Sequence, residues 1–339
     1  MRAAFFMRVG RGRVYTLSML QRLKKPDPLI VLIILAVIIA VLAPARGSFA
    51  EIFGKLTNVA IAILFFLYGA RLSTQEALNG LKHWRLHLTI LAFTFVVYPL
   101  IGIALRPLTA VVSHDMYLGI LFLTLVPSTV QSSAAFTSIA KGNVAGAIIS
   151  ASTSNLVGVI VTPLLVMLLM GTGGGIHIDT SVFGEIVLLL LAPFVLGQLT
   201  RRWIGRIAQS KATKVVDRGS IAMVVYSAFS KGIVDGIWAS ISMWELPFLV
   251  GFAAAFVAFM LWLTKKVSQK LGFSRADIIA IEFCGSKKSL ATGLPMASVI
   301  FTSDGAPLGL LVLPLMIYHQ VQLMMCSWLA ARYAQHSTP

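Results

Sequence analysis

The sequence predicts an all-α polytopic membrane protein with ten transmembrane helices. Three observations carry that prediction. Apolar stretches long enough to cross a bilayer recur from end to end, and hydrophobic residues make up 58% of the 339-residue chain. Only 12% of the residues are charged, about half the 25% of an ordinary soluble domain. The bases gather between the apolar stretches rather than within them. Strand alternation of the kind a membrane barrel needs is absent, and the remaining way to satisfy a backbone in hydrocarbon is the helix.

Taken in order, residues 1–26 read as a basic cytoplasmic arm: the apolar patch Ala3–Met7 is too short for a signal-peptide core. The first span is expected at Pro28–Ala43 and the second at Ile52–Ala70. The third, Leu86–Leu105, contains Pro99, which predicts a kink. The fourth, Met116–Ala140, is interrupted at Pro127. Lys141-Gly142-Asn143 is a tight turn into the fifth span, Val144–Met170, and the glycine-rich Gly171–Gly175 closes the first half. The sixth and seventh spans, Val182–Leu199 and Gly219–Val234, flank the basic stretch Arg201–Arg218. The eighth is Leu246–Thr264, the ninth Ile278–Phe301 and the tenth Pro307–Ala331.

Loop charges orient these spans. With the amino terminus inside, cytoplasmic segments hold 22 of the 28 Lys and Arg and outer loops hold 4, the remaining two being intramembrane. That skew puts both termini in the cytoplasm, with the inner (plasma) membrane of a bacterial cell as the expected location. It also gives the net charge of +16 a topological meaning and removes the case for nucleic acid as a partner; the expected partner is membrane lipid. Five spans per half is an odd number, so two similar halves insert with opposite orientation. This predicts an inverted repeat of 27–175 and 176–332, followed by a short cytoplasmic tail, 333–339.

Two polar breaks carry the chemistry. The first is Pro127-Ser128-Thr129-Val130-Gln131-Ser132-Ser133 in the fourth span. The second is Glu282-Phe283-Cys284-Gly285-Ser286-Lys287-Lys288-Ser289 in the ninth. A charge at mid-bilayer costs at least ~2.5–3.5 kcal/mol on insertion scales, so Glu282, Lys287 and Lys288 are expected to face a cavity and to function there. Proline removes a backbone donor, and Gly285 is expected to permit an extended backbone. Freed carbonyls attract a cation, and helix amino-terminal halves an anion. Lys287 or Lys288 neutralises Glu282 if the helix is broken at Gly285; a bound sodium ion is the other partner open to the carboxylate, and an anionic substrate the other partner open to the ammonium groups. A buried lysine also carries protons.

The remaining polar residues have blander readings. Ser138, Ser150, Ser152 and Ser154 are expected to bond back to their own helix. His83, His87 and His114 are interfacial, and Lys231 pairs with Asp235 four residues on. The two cysteines, Cys284 and Cys326, lie in apolar segments and indicate neither a disulfide nor a zinc site. No nucleophile–base set, phosphate loop or metal-ligand spacing is present in the sequence, so no enzyme, cofactor or tightly held metal is expected.

Over residues 27–332 the sequence resembles the bile acid:sodium symporter family, in particular its solute carrier family 10 member 7-like branch. The resemblance is carried by Asp27-Pro28, Pro44-Ala45-Arg46-Gly47, Phe66-Leu67-Tyr68-Gly69, Pro127–Ser133 with Lys141-Gly142-Asn143, and Glu282–Pro295. It implies a panel domain of spans 1, 2, 6 and 7, a core domain of spans 3–5 and 8–10, and spans 4 and 9 crossing where they unwind. It implies cation ligands at Glu282, Phe283, Gly285, Ser286, Ser132 and Ser133, with sodium as the coupling ion at Glu282, Ser132 and Ser133. Tyr318-His319-Gln320 resembles the element that lines the family's substrate cavity.

This chain departs from the sodium-coupled pattern at Thr94, Ser133, Ser286 and Lys287, and the lysine ammonium is a candidate to replace an ion. The expected function is a secondary active transporter moving a small organic anion by alternating access. Its expected substrate contacts are Lys287, Lys288, His319, Gln320, Thr129 and Gln131. Sodium coupling, a proton-coupled or facilitative carrier, and a non-transporting regulator of ion homeostasis stay open at this stage. So does the choice between monomer and homodimer.

Overall fold

The structure, a computed structural model, describes residues 28–71, 83–171, 187–234, 236, 244–301 and 307–335. The basic arm, residues 172–186 with most of the glycine-rich loop and the start of the sixth span, Asp235, and the tail beyond 335 lie outside them. Among the described residues every regular element is helical, as a backbone without access to water requires. Five helices are long and apolar enough to cross a membrane: Gly47–Arg71, Trp84–Ala110, Val144–Met170, Glu245–Lys270 and Leu308–Gln335. The chain is a polytopic all-helical membrane protein.

Helices α1 (Pro28–Leu42) and α2 (Gly47–Arg71) are followed by α3 (Trp84–Ala92). A π-helical turn, Phe93–Val97, joins α3 to α4 (Tyr98–Ala104). Pro99 is the cause to look to, because it lacks the N–H that continues an α-helical ladder. The fourth apolar stretch is two helices, α5 (His114–Leu125) and α6 (Gln131–Ile139). Between them Val126 is extended (φ −77°, ψ 155°), the conformation favoured before a proline. Helix α7 (Val144–Val166) is capped by Asn143, whose Oδ1 accepts from the Gly146 N–H at 2.8 Å. In the second half come α8 (Ala192–Ala208), α9 (Lys211–Val234) and α10 (Glu245–Lys270). The ninth stretch is again two helices, α11 (Arg275–Gly285) and α12 (Leu290–Ile300), and α13 (Leu308–Gln335) ends the described chain.

Packing divides the helices into two groups. Helix α2 lies closely on α8, and α9 on α1 and α2. The α2–α8 contact is backbone on backbone, through Gly69 and Gly197: a Cβ on either would stand 2.0 Å from the carbonyl oxygen of Phe194 or Phe66. In the other group α13 packs on α5 and α10, α10 on α11, and α6 on α7. Helix α9 meets α12 and α13 and so joins the groups. Ile34, Ile38, Ile39 and Leu42 leave one side of α1 apolar and uncovered, the face a lipid chain would contact.

Several expectations are corrected. Gly285 does not supply an extended backbone; it ends α11 with its α-carbon against Thr264 of α10, where a Cβ would meet Cγ2 at 3.2 Å. The extended residue is Ser289, which caps α12. His87 is buried and bonds Ser150 Oγ through Nδ1 at 2.6 Å, so Ser150 serves a neighbouring helix rather than its own. Ser154 likewise serves another segment, accepting from the Ser128 N–H at 3.1 Å.

Candidate functional site

The two breaks lie against each other, and several of the backbone groups freed by one are taken up by the other, the rest by neighbouring helices. Ser289 N–H donates to the Pro127 carbonyl at 2.8 Å. Ser128 Oγ donates to the Cys284 carbonyl at 2.5 Å and Ser133 Oγ to the Phe283 carbonyl at 3.1 Å. Ser286 Oγ returns to the Glu282 carbonyl at 2.5 Å. Asn155 of α7 clamps both breaks: Nδ2 donates to the Ser128 carbonyl at 2.7 Å, and Oδ1 accepts from Thr292 Oγ1 at 2.6 Å. The hydroxyls of Tyr98 and Tyr318, 2.6 Å apart, both approach the Ser286 carbonyl, at 2.6 and 2.9 Å. A helix interruption in an apolar interior is stable only when its backbone groups find such partners.

The two lysines differ sharply. Lys288 is fully buried. Its Nζ donates to the carbonyls of Thr94 (2.9 Å), Thr124 (2.8 Å) and Val126 (2.8 Å) and lies 4.1 Å from the centroid of the Tyr98 ring. The local sequence explains why these oxygens are free. Tyr98 N–H bonds Phe93 in the π-turn register, and the next residue, Pro99, has no N–H to offer Thr94. Thr124 and Val126 lie at the carboxyl end of α5, where carbonyls lose their helical partners; the Ser128 N–H that would serve Thr124 is held by Ser154. Lys287 is also fully buried, but its Nζ has no hydrogen-bond partner among the described residues and rests over the Phe136 ring at 4.0 Å.

Neither ammonium bonds Glu282. That carboxylate, 2% exposed, accepts from Tyr333 Oη at 2.8 and 3.1 Å, and Tyr333 Oη in turn accepts from Lys265 Nζ at 2.8 Å. Spacings of five and six residues kept Lys287 and Lys288 off its face, and the break turns Lys288 toward α3 and α5. Ser132 and Ser133 bond Thr129 Oγ1 at 2.8 and 3.0 Å. Among the described residues no hydrogen bond links them to the Glu282 carboxylate. The residues expected to hold sodium thus have different hydrogen-bond partners, Tyr333 for the Glu282 carboxylate and Thr129 for Ser132 and Ser133. Phe283, Gly285 and Ser286 join the crossing, Phe283 and Ser286 through their carbonyls.

A cavity of about 310 Å³ lies beside the crossing, between it and α1, α2, α8 and α9. Thr129, Gln131, Ser132, Asn155, Ser289, Thr292 and His319 are among its polar lining, and Leu29, Leu156, Val159, Phe194, Ile221 and Leu323 among its apolar lining. Arg71, Lys214, Asp217 and Arg218 stand at the ends of α2 and α9. Arg71 forms a two-pronged ion pair with Asp217 at 2.6 and 3.2 Å and bonds the Ala208 carbonyl through Nε at 2.6 Å. Lys287, Lys288 and Gln320 do not line this cavity. Gln322, two residues on, instead holds the backbone of the crossing: Oε1 accepts from Lys288 N–H at 2.9 Å, and Nε2 donates to the Lys288 carbonyl and to His319 Nδ1, both at 2.8 Å. Nothing in the sequence singles out Arg71, Lys214, Asp217 and Arg218; the bases among them count as topological charges, and the place of all four at the edge of apolar spans is the available signal.

Interrupted helices crossing in a membrane interior, next to a cavity between two helix groups, define a membrane transport protein. The comparisons specify which. The family model for the SBF-like CPA transporters matches residues 27–335, and the chain belongs to that family. It is 49% identical over 313 residues to an uncharacterised protein of Pseudomonas aeruginosa, covering 91% of this chain and 93% of that one. It is 44% identical over 319 residues to the "Putative symporter YfeH" of Escherichia coli K12, covering 92% and 94%. It is 32% identical over 325 residues to the sodium/bile acid cotransporter 7-B of Xenopus laevis, covering 92% of each. The resemblance to the bile acid:sodium symporters and their member 7 branch therefore holds.

Proposed function

We propose that this transporter is a secondary carrier that moves a small organic anion across the bacterial inner membrane by alternating access, with the cavity as its substrate site. The single observation that carries the reading is the cavity's make-up. Its volume suits a small molecule, its lining mixes apolar side chains with hydroxyls, amides and His319, and three bases outnumber one acid among its lining residues. An anion with a short apolar body meets both kinds of group and gains from the charge excess. The same reading takes the chain as ten spans in two inverted repeats, 27–175 and 176–332. Helices α1, α2, α8 and α9 are the panel and the others the core. Both termini are cytoplasmic, and the cavity opens to the cytoplasm, the side that the loop bases mark.

The coupling we favour is sodium-independent, either to protons or to the substrate gradient alone. It is supported by Glu282 being bonded to Tyr333 rather than gathered with Ser132 and Ser133. Uptake into proteoliposomes, driven in turn by sodium, proton and substrate gradients, tests both parts. We expect uptake of small carboxylates that is lost in His319→Ala and Gln131→Ala, with the melting point of Gln131→Ala, whose exposed side chain lines the cavity, staying close to wild type. We also expect equal rates in sodium and choline. No carboxylate uptake under any gradient overturns the carrier reading. A sodium-specific rate, abolished in Glu282→Gln, overturns the sodium-independent coupling.

A further inference from the structure

Lys288 presents three N–H donors, and three carbonyl oxygens meet them. The oxygens come from separate segments: Thr94 from the π-turn between α3 and α4, Thr124 from the end of α5, and Val126 from the first break. The Tyr98 ring supplies a π-face at 4.1 Å, the surface on which ammonium groups are recognised. Among the described residues no carboxylate bonds this ammonium, so its negative surroundings are peptide dipoles, two of them at a helix carboxyl end. Lys287 shows that burial beside the break does not by itself produce such a set. It is the adjacent residue, it is equally buried, and among the described residues it meets no acceptor.

We infer that the carbonyls of Thr94, Thr124 and Val126, with the Tyr98 ring, are a binding site for a primary ammonium cation, filled in this chain by its own side chain. The site holds a tethered cation that locks the two interrupted helices together, and removing the side chain leaves a site that free alkylammonium ions occupy. The oxygens stand at N–H···O lengths, 2.8–2.9 Å from the nitrogen. Hard cations such as calcium draw their oxygens in to about 2.3–2.6 Å, so the site is matched to an ammonium rather than to a small bare ion. The amine is fixed to the chain, so it does not dissociate during a transport cycle as a free ion would. The inference rests on the crossing and not on which solute is carried, and its test reads stability, so its failure leaves the carrier reading untouched.

The test is chemical rescue of Lys288→Ala. This substitution removes the propylammonium portion of the side chain, and n-propylammonium chloride restores the same atoms. Purified wild type, Lys288→Ala and Lys287→Ala are melted in n-propylammonium, sodium or choline chloride at equal ionic strength. Choline carries the charge without an N–H. The expected result is a melting point lowered by roughly 10 °C in Lys288→Ala. At least half of that loss returns in n-propylammonium, rising with the logarithm of its concentration; wild type and Lys287→Ala show no specific response. If Lys288→Ala does not survive purification, the same salts are compared during detergent extraction, and recovery of monodisperse protein only in n-propylammonium supports the inference. A Lys288→Ala protein as stable as wild type, a rescue by sodium instead, or no difference among the salts in either assay overturns it.

Discussion

Gln322, with Tyr318, is a side chain through which α13 grips the second break. Its amide closes both sides of the Lys288 residue, accepting from the N–H and donating to the carbonyl, and its second N–H fixes His319 Nδ1. All of these groups are buried. Gln322→Leu keeps the volume and leaves one donor and one acceptor of Lys288 unsatisfied, at about 1–3 kcal/mol each. The expected outcome is a loss of roughly 2–5 kcal/mol in stability, seen as a lower melting point and weaker substrate-dependent stabilisation. Gln320→Leu is expected to stay within about 0.5 kcal/mol of wild type. A melting comparison of the two variants checks both. Gln320 drew attention because it follows His319 in the chain, but a helix turns about 100° per residue. Positions three apart share a face, so 319 goes with 322. That periodicity was there to be read. What hid it is that a membrane helix is apolar on most sides, so no polar stripe marks which face meets protein. The same blindness left Lys287 and Lys288 interchangeable in the sequence, whereas one is fully bonded and the other is not.

At the scale of elements, the contact of α2 with α8 is set by what is missing from two residues. Gly69 and Gly197 each face a carbonyl of the opposite helix, and backbone cannot swing aside as a side chain does. Alanine at either position forces the helices apart, and the cost should exceed the ~1–3 kcal/mol of ordinary overpacking. Gly54, on the same α2, has nothing within 4 Å of a would-be Cβ. There alanine should be neutral or stabilising by up to about 1 kcal/mol, the difference in helix propensity. Detergent melting curves for Gly69→Ala, Gly197→Ala and Gly54→Ala test this ordering, and equal curves for all three would remove the close contact as its explanation. The elements themselves were largely legible. Pro127 within an apolar run, and three charges in a row of spanning length, announced both breaks, and Val126 before the proline is extended as the chemistry requires. The π-turn at Phe93–Val97 was not foreseen beyond a kink at Pro99, because the proline removes a donor without stating which register the ladder then adopts. The partners of the glycines were beyond reach for a related reason: a glycine signals close approach but does not name the helix that approaches.

For the whole molecule the decisive seam runs between the two helix groups, and the cavity lies in it. Helix α9 meets α12 and α13 there, and Ile221 of α9 and Ala291 beside the second break both line the cavity. A rigid crossing, with its backbone groups bonded across two breaks and its charge anchored at Lys288, is suited to move as a unit against α1, α2, α8 and α9. Substrate access then requires the distance across the seam to change. A cross-link between the groups should therefore abolish turnover without unfolding either one. The native cysteines, Cys284 and Cys326, are buried, so Ile221→Cys and Ala291→Cys can be introduced and bridged by a short bifunctional thiol reagent without removing them. The expected outcome is loss of nearly all uptake in the bridged double variant, recovery when a cleavable reagent is cut, and little effect of the reagent on either single variant. The bridged protein should still be stabilised by substrate, because the cavity remains built from the same walls. Bridged protein that transports at the unmodified rate would mean that the two groups do not move relative to each other at this seam, and the substrate path would have to be sought elsewhere.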